Sequence, residues 1–489
     1  MLRKLAVAAG LVTAMSMGAV AQDAKTVIAD ATKALGAENV SSVIYSGSAS
    51  TGNFGQSKTI AGPLAVTTIT NYARAIDLTQ PASRATGTSM PPTIPGAPAP
   101  QAGVFNQNIT PANTAWTQQL EIWVTPWGFL KGAAANNATV RSQKIGGKAY
   151  NVVSWSPAQK APSGQPYRLT GYIDDKNMVD RVETWVEHPV VGDLQVDTTY
   201  ANYQDFNGLK VPTKIVQKRN GLQTFEATIT RGSANPDNLT QLLTPPPPAG
   251  GSPAAAGAGR GGAPGAPAAA PPVASEKMAD GVYRITGGYV ALAIEFKDHV
   301  VVLEGGQSEA RGIAVIAETR RVIPNKPIKY VVNTHAHFDH ASGLAPFAAE
   351  GITIITHQNN KAYLEKVLAA PRTLVGDNLA KANKKPKLES AGEKRVLKDE
   401  THTIELHHIQ NLEHSDGMLV AYLPKEKILF TADFNIPAQG QPPAPAIATL
   451  VQNIERLKLD FDGHVLVHAP IPDRPMTRAD LMALAKGTQ

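Results

Sequence analysis

Between Thr334 and His340 the chain reads Thr-His-Ala-His-Phe-Asp-His, which sets four potential metal ligands, His335, His337, Asp339 and His340, within six residues. The string follows the run Lys329–Val332, which predicts a strand ending at this point. A strand shows alternate residues on one face. His335, His337 and Asp339 are therefore expected to point together, with His340 joining as the chain turns into a helix over Ala341–Glu350. Neutral imidazoles and carboxylates suit Zn²⁺, and ligands this dense suit two ions better than one. A single histidine here would read as a solvated surface residue; H-x-H-x-D-H at a strand end does not. The chain has no cysteine, which excludes disulfides, thiolate-bound zinc and thiol nucleophiles.

On these residues the sequence resembles the metallo-β-lactamase fold superfamily of metallohydrolases, over essentially all of residues 276–489. Three downstream features agree with the resemblance. His414-Ser415-Asp416-Gly417 precedes a strand-like run, Met418–Leu423, and a second run, Ile428–Thr431, leads to Asp433, nineteen residues after His414. His468 follows the apolar run Val465–Val467. The resemblance implies an α/β fold of αββα sandwich type. It implies a first metal held by His335, His337 and His414, a second held by Asp339, His340 and His468, and Asp433 bridging them. His335, His337, Asp339 and Asp433 are the expected catalytic set. Two features depart from the family pattern. Leu303-Glu304-Gly305-Gly306 stands where an Asp is usual, and Ala469-Pro470 follows His468 where Gly is usual. His464 is a rival to His468, which is preferred for its place at a strand end.

Two Zn²⁺ ions about 3.5–4 Å apart can hold a hydroxide at neutral pH, because the metal lowers the pKa of bound water toward about 7. That nucleophile attacks a carbonyl or phosphoryl centre without help from a side chain, in keeping with the absence of a G-x-S-x-G elbow. The superfamily spans β-lactams, lactones, thioesters and phosphodiesters, and some members hold iron and oxidise sulfur compounds. The expected function is a secreted, dinuclear zinc hydrolase of a small carbonyl-type substrate: β-lactam, lactone or ester. One alternative is a mononuclear iron dioxygenase using His335, His337, His414 and Asp433. Another is a binding protein whose N-terminal half holds an apolar ligand.

The elements that position these residues divide the chain in two. Residues 276–489 alternate short β runs, such as Val300–Leu303, Tyr330–Asn333 and Ile352–Thr356, with helical stretches, including Asn359–Ala369 and Arg478–Lys486. Substrate walls are expected from loops 306–325, 357–395 and 434–448, with Asn435 and Pro437 lining the pocket. Eleven of the twelve histidines lie in this half. His357 reads as a surface cap. His402, His407 and His408 read as solvated, with His407 or His408 alternatively orienting a ligand. His188 and His299 carry no pattern. The segment Lys381–Lys398, with six lysines, reads as a solvated face.

The other half, 22–244, reads as a β-rich antiparallel accessory domain, after a helix over Lys25–Ala37 and a Pro-rich loop over 91–116. Asn220-Gly221 between Val211–Arg219 and the alternating run Thr224–Thr230 predicts a tight hairpin. A second hairpin is expected across Asp174–Asn177. The order of elements resembles periplasmic lipoprotein-carrier domains, without a shared motif. The stretch 245–272, in which Arg260 is the sole charge, is an extended Pro/Ala/Gly linker. Residues 1–21 read as a signal peptide: Arg3 and Lys4, an apolar run, then Ala19-Val20-Ala21. A periplasmic or secreted location follows. The apolar run is too short and Ala-rich for an integral membrane span. Lys plus Arg exceeds Asp plus Glu by 46 to 40 over 489 residues, with no dense basic stripe, so nucleic acid is excluded as a partner.

Overall fold

The computed structural model describes residues 23–93, 99–245, 272–436, 444–470, 473–474 and 476–486. The expected signal peptide, nearly all of the linker, Pro437 and part of the 434–448 loop lie outside the described residues.

The N-terminal half opens with a helix, Ala24–Ala34, which buries Val27, Ile28 and Ala31 on one face. An antiparallel sheet of eleven strands follows. From one edge to the other they are Gly103–Ile109, Ala82–Met90, Val66–Asp77, Ser42–Gly52, Leu222–Ala234, Leu209–Arg219, Gly192–Phe206, Val179–His188, Leu169–Ile173, Lys148–Trp155 and Thr139–Ile145. Turn chemistry sets the register. Asn220 and Gly221 both take positive φ, 46° and 81°, the geometry a two-residue hairpin needs, and Arg219 pairs with Leu222. The second expected hairpin joins Leu169–Ile173 to Val179–His188, and the Asp174 carboxylate accepts from the Lys176 and Met178 N–H groups. The 91–116 stretch is not all loop. It holds the edge strand Gly103–Ile109, in which Phe105, Gln107 and Ile109 turn inward at every second position. Two helices, Trp116–Trp123 and Pro126–Ala135, pack on the sheet: Trp116 and Trp123 meet Trp155, the Trp116 and Trp155 rings 6.0 Å apart, and Trp127 meets Tyr45.

The C-terminal half is two sheets packed face to face with helices outside both. One has seven strands: Ala274–Ala279, Val282–Thr286, Ala291–Glu295, Val300–Leu303, Ile328–Val332, Thr353–His357 and Leu388–Ala391. The other has six: Lys394–Lys398, Thr403–His408, Leu419–Leu423, Ile428–Thr431, Gly463–Leu466 and Met476–Thr477. The strand Val300–Leu303 is apolar throughout because both its faces are covered. Val301 and Leu303 join Leu406, Leu419 and Phe430 between the sheets. Val300 and Val302 pack outward with Val315, Ile316 and Phe347 of the helices Glu309–Val322 and Leu344–Glu350. Each such side chain contributes about 1.5–3 kcal/mol on burial. This is the αββα arrangement expected of residues 276–489.

Two of the expected substrate loops are built differently. The helix Glu309–Val322 occupies most of 306–325, because its Arg311, Val315, Ile316 and Thr319 bury at helical spacing. Two helices, Gln358–Leu368 and Asn378–Ala382, and two strands, Leu388–Ala391 and Lys394–Lys398, occupy 357–395. The six lysines of Lys381–Lys398 are exposed. The two halves dock. Asp193 accepts from the Thr373 and Leu374 N–H groups, and Arg372 donates to the Pro189 and Val190 carbonyls. No helix among the described residues is long and apolar enough to cross a membrane.

Candidate metal centre

The strand Ile328–Val332 ends before the ligand string begins. Asn333 N donates to the Ile355 carbonyl at 2.8 Å, and its side-chain amide donates to the His340 carbonyl at 3.2 Å. The chain then runs irregularly to His337 and enters a single helical turn, Phe338–Ala341. His335, His337 and Asp339 therefore meet through a loop closed by Asn333, not through strand alternation. The strand is too short for that, since the seven-stranded sheet offers Val332 its last pairing partner.

All seven predicted residues come together, in two groups that share Asp433: His335, His337, His414 and Asp433, then Asp339, His340, Asp433 and His468. Asp433 Oδ2 lies 3.1 Å from His335 Nε2 and 2.6 Å from His414 Nε2. Its other oxygen, Oδ1, lies 3.0 Å from His340 Nε2 and 2.5 Å from His468 Nε2. Within each group two Nε2 atoms face each other at 3.3 Å. Two facing ring nitrogens cannot both carry hydrogen toward one another, so at least one of each pair turns a lone pair into the space beside the carboxylate oxygen. Asp433 takes φ +61° just beyond the strand Ile428–Thr431, a left-handed conformation that a loop-forming Asp tolerates better than most residues. His464 is not in the cluster. It is buried, with Nε2 2.9 Å from Thr431 Oγ1.

The electrostatics suit cations. Burial holds His335 well below the ordinary histidine value, and the neighbouring His340 and His337 push it the same way. Burial, with His414 beside it, brings His337 down to about 4. Both are neutral imidazoles, the form that binds metal. Burial alone would raise Asp433, but the facing His340 and His335 overcome it and hold the carboxyl well below its usual range. Asp339 follows the same pattern: burial opposes ionisation, and His340 and Gln56 outweigh it. Burial would also lower His340, yet Asp433 and Glu304 drive it well above the ordinary value.

Further residues orient the cluster. Glu304, fully buried at φ +74°, accepts from Thr334 Oγ1 at 2.8 Å and from His340 Nδ1 at 3.2 Å. This long carboxylate does from one atom farther what an orienting Asp would do, and it leaves His340 Nε2 for the cluster. Tyr289 donates its hydroxyl to Asp339 Oδ2 at 2.8 Å, and its ring sits 4.2 Å from that of His468. Burial, with Asp339 next to it, pushes the Tyr289 hydroxyl far up, so it stays a donor. Arg311 donates to the Ile285, Thr286 and Tyr289 carbonyls and fixes the segment that carries Tyr289. From the other half of the chain, Gln56 Nε2 donates to Asp339 Oδ1 at 2.7 Å, and the Ser57 carbonyl lies 3.1 Å from His337 Nε2. Neither Tyr289 nor Gln56 belongs to any sequence motif, so neither was anticipated. Of the cluster, His414 and His468 keep 33% and 26% of their side chains exposed, while His335 and His340 keep none. The open side of the site is theirs.

The remaining histidines are more buried than expected. His357 is 1% exposed; its Nδ1 accepts the Asn359 N–H and caps the helix Gln358–Leu368. Its ring stacks on His408 at 4.1 Å, and with Glu393 these form a third ligand group. Both His408 nitrogens are already engaged, by Glu393 and the Asp416 carbonyl, so the group reads as structural. His402 and His407 bond to the Asp280 carbonyl and to Glu405. The edge strand Lys394–Lys398 pairs alongside Thr403–His408, with Lys394 opposite His407.

Residues 286–466 match the sequence model of the metallo-beta-lactamase superfamily. A curated relative, the 2,4-dinitroanisole O-demethylase subunit alpha of Nocardioides sp. (strain JS1661), is 25% identical over 207 residues. The match takes in 40% of this chain, which spans 58% of that relative's length. Among solved structures, a metallo-beta-lactamase from Pontibacter korlensis shares 16% identity at a TM-score of 0.35, over 45% of this chain and 99% of its own. One from Hirschia baltica shares 20% identity at a TM-score of 0.34, over 44% of this chain and 98% of its own.

Proposed function

We propose that this protein is a secreted hydrolase that holds two zinc ions and cleaves a small carbonyl-type substrate of the β-lactam, lactone or ester class. One observation carries the reading: Asp433 turns one carboxylate oxygen to each of two histidine groups, all within ligand reach. His335, His337 and His414 would hold one ion, Asp339, His340 and His468 the other, with Asp433 shared. The ions would supply a hydroxide nucleophile at neutral pH and polarise the substrate oxygen. The chain's own residues do the rest. Glu304 and Tyr289 fix His340 and Asp339, the buried side excludes water, and the substrate approaches past His414 and His468. The periplasmic or secreted location rests on residues 1–21 alone.

The decisive measurement is metal per chain by elemental mass spectrometry, followed by a screen of β-lactams, lactones and esters. Two zinc ions per chain and turnover are expected. Asp433→Ala is expected to lose both, and a variant that kept both would overturn the assignment. A single iron would favour the mononuclear oxygenase alternative. The O-demethylase relative supports a second substrate reading, an aryl methyl ether, which belongs in the same screen.

A further inference from the structure

We infer that the N-terminal half is part of the metal centre, not an accessory to it, with Gln56 as a positioning residue for Asp339. This rests on the metal reading above. The segment 53–59 opens the connection between two neighbouring strands of the eleven-stranded sheet, Ser42–Gly52 and Val66–Asp77, and it lies across both ligand-bearing loops. On the H-x-H-x-D-H side, the Gly55 carbonyl accepts the Phe338 N–H at 3.1 Å. On the His414 side, the Lys58 carbonyl accepts the Asp416 N–H at 2.9 Å, and Thr59 Oγ1 donates to the Asp416 carboxylate at 2.5 Å. Phe54 meets the Phe338 ring edge-on at 5.1 Å. Gly55 sits at φ +81°, and a Cβ there would lie 2.1 Å from the Phe338 ring, so only glycine permits this approach.

Two contacts reach the ligands themselves. A carbonyl only accepts, so the bond to the Ser57 oxygen puts the His337 proton on Nε2. That leaves Nδ1, buried and without a partner, as the lone pair free for a metal. Gln56 does the same for Asp339. Its amide takes Oδ1, while Oδ2 lies 3.4 Å from His340 Nε2, on the cluster side. Each donor or acceptor fixes which atom its ligand presents, as outer partners of metal ligands do.

The test uses the full chain with zinc and with cobalt(II) as probes. Gln56→Met keeps the length and removes the donor, whereas Gln56→Lys keeps a donor. Zinc affinity for each ion is read by chelator competition, and the second ion's surroundings by the visible spectrum of the cobalt(II) form. Gln56→Met is expected to bind the second ion about 10–100-fold more weakly, with the first ion unchanged. Gln56→Lys is expected to restore most of that affinity, and the cobalt spectrum is expected to shift only in the methionine variant. Gln56 is half-buried, and circular dichroism checks that both variants keep the fold. A wild-type chain with two zinc ions beside a methionine variant of equal affinity overturns this inference alone. A wild-type chain that takes up no zinc overturns the metal reading and this inference with it.

Discussion

Glu304 shows how much one buried side chain can decide. It has no exposed surface, and its two oxygens accept from Thr334, His340 and the Gly306 N–H. Replacing it by Ala leaves His340 Nδ1 and the Thr334 hydroxyl without an acceptor, at about 1–3 kcal/mol for each orphaned group. Glu304→Ala should therefore lower the denaturation midpoint and weaken metal binding about 10–100-fold, measured by chelator competition. His464 tests burial away from the ligands. Burial holds it down at about 4 in the fold, against an ordinary value of 6.5. Between those values the unfolded chain takes up a proton that the folded chain refuses. Stability on this account is full above pH 6.5 and is lost as pH falls toward 4. Urea midpoints at pH 7 and pH 5 should show a smaller drop for His464→Gln than for wild type. An equal drop would mean that His464 has no part in acid lability.

At the scale of elements, the hairpin at Asn220-Gly221 gives a clean case. No atom lies within 4 Å of a Cβ added at Gly221, so an alanine there meets open space. Only its φ of +81° is wrong for a side chain. Gly221→Ala should cost about 1–2 kcal/mol through backbone conformation alone, read from the urea midpoint. A neutral result would mean that the turn relaxes without loss of register. This hairpin was legible because turn residues act locally. The Gly103–Ile109 strand was not, because prolines upstream dominate the composition and only its inward side chains alternate.

For the whole molecule, the contact between halves is the feature to test. Arg372 and Asp377 form a buried ion pair, and Arg372 also donates to two carbonyls of the N-terminal half. Arg372→Met strands Asp377 without its partner, a loss of about 3–5 kcal/mol. If the halves fold as one unit, thermal unfolding should move to lower temperature as a single transition. Two separate transitions would mean that the halves are independent.

The chain itself carried the metal chemistry, because ligand type and spacing are local and H-x-H-x-D-H leaves few alternatives. The hairpins and the apolar strands were legible for the same reason: a turn or a doubly covered strand needs particular residues in sequence. Only the tertiary structure decided that Asp433 faces both histidine groups and that His468, not His464, joins them. It also placed Glu304, Tyr289 and Gln56 around the ligands. Gln56 and Asp339 stand 283 residues apart and belong to different halves of the chain, and no local pattern records such a meeting. It exists because the two halves bury surface against each other, and that packing depends on the shape of the whole chain.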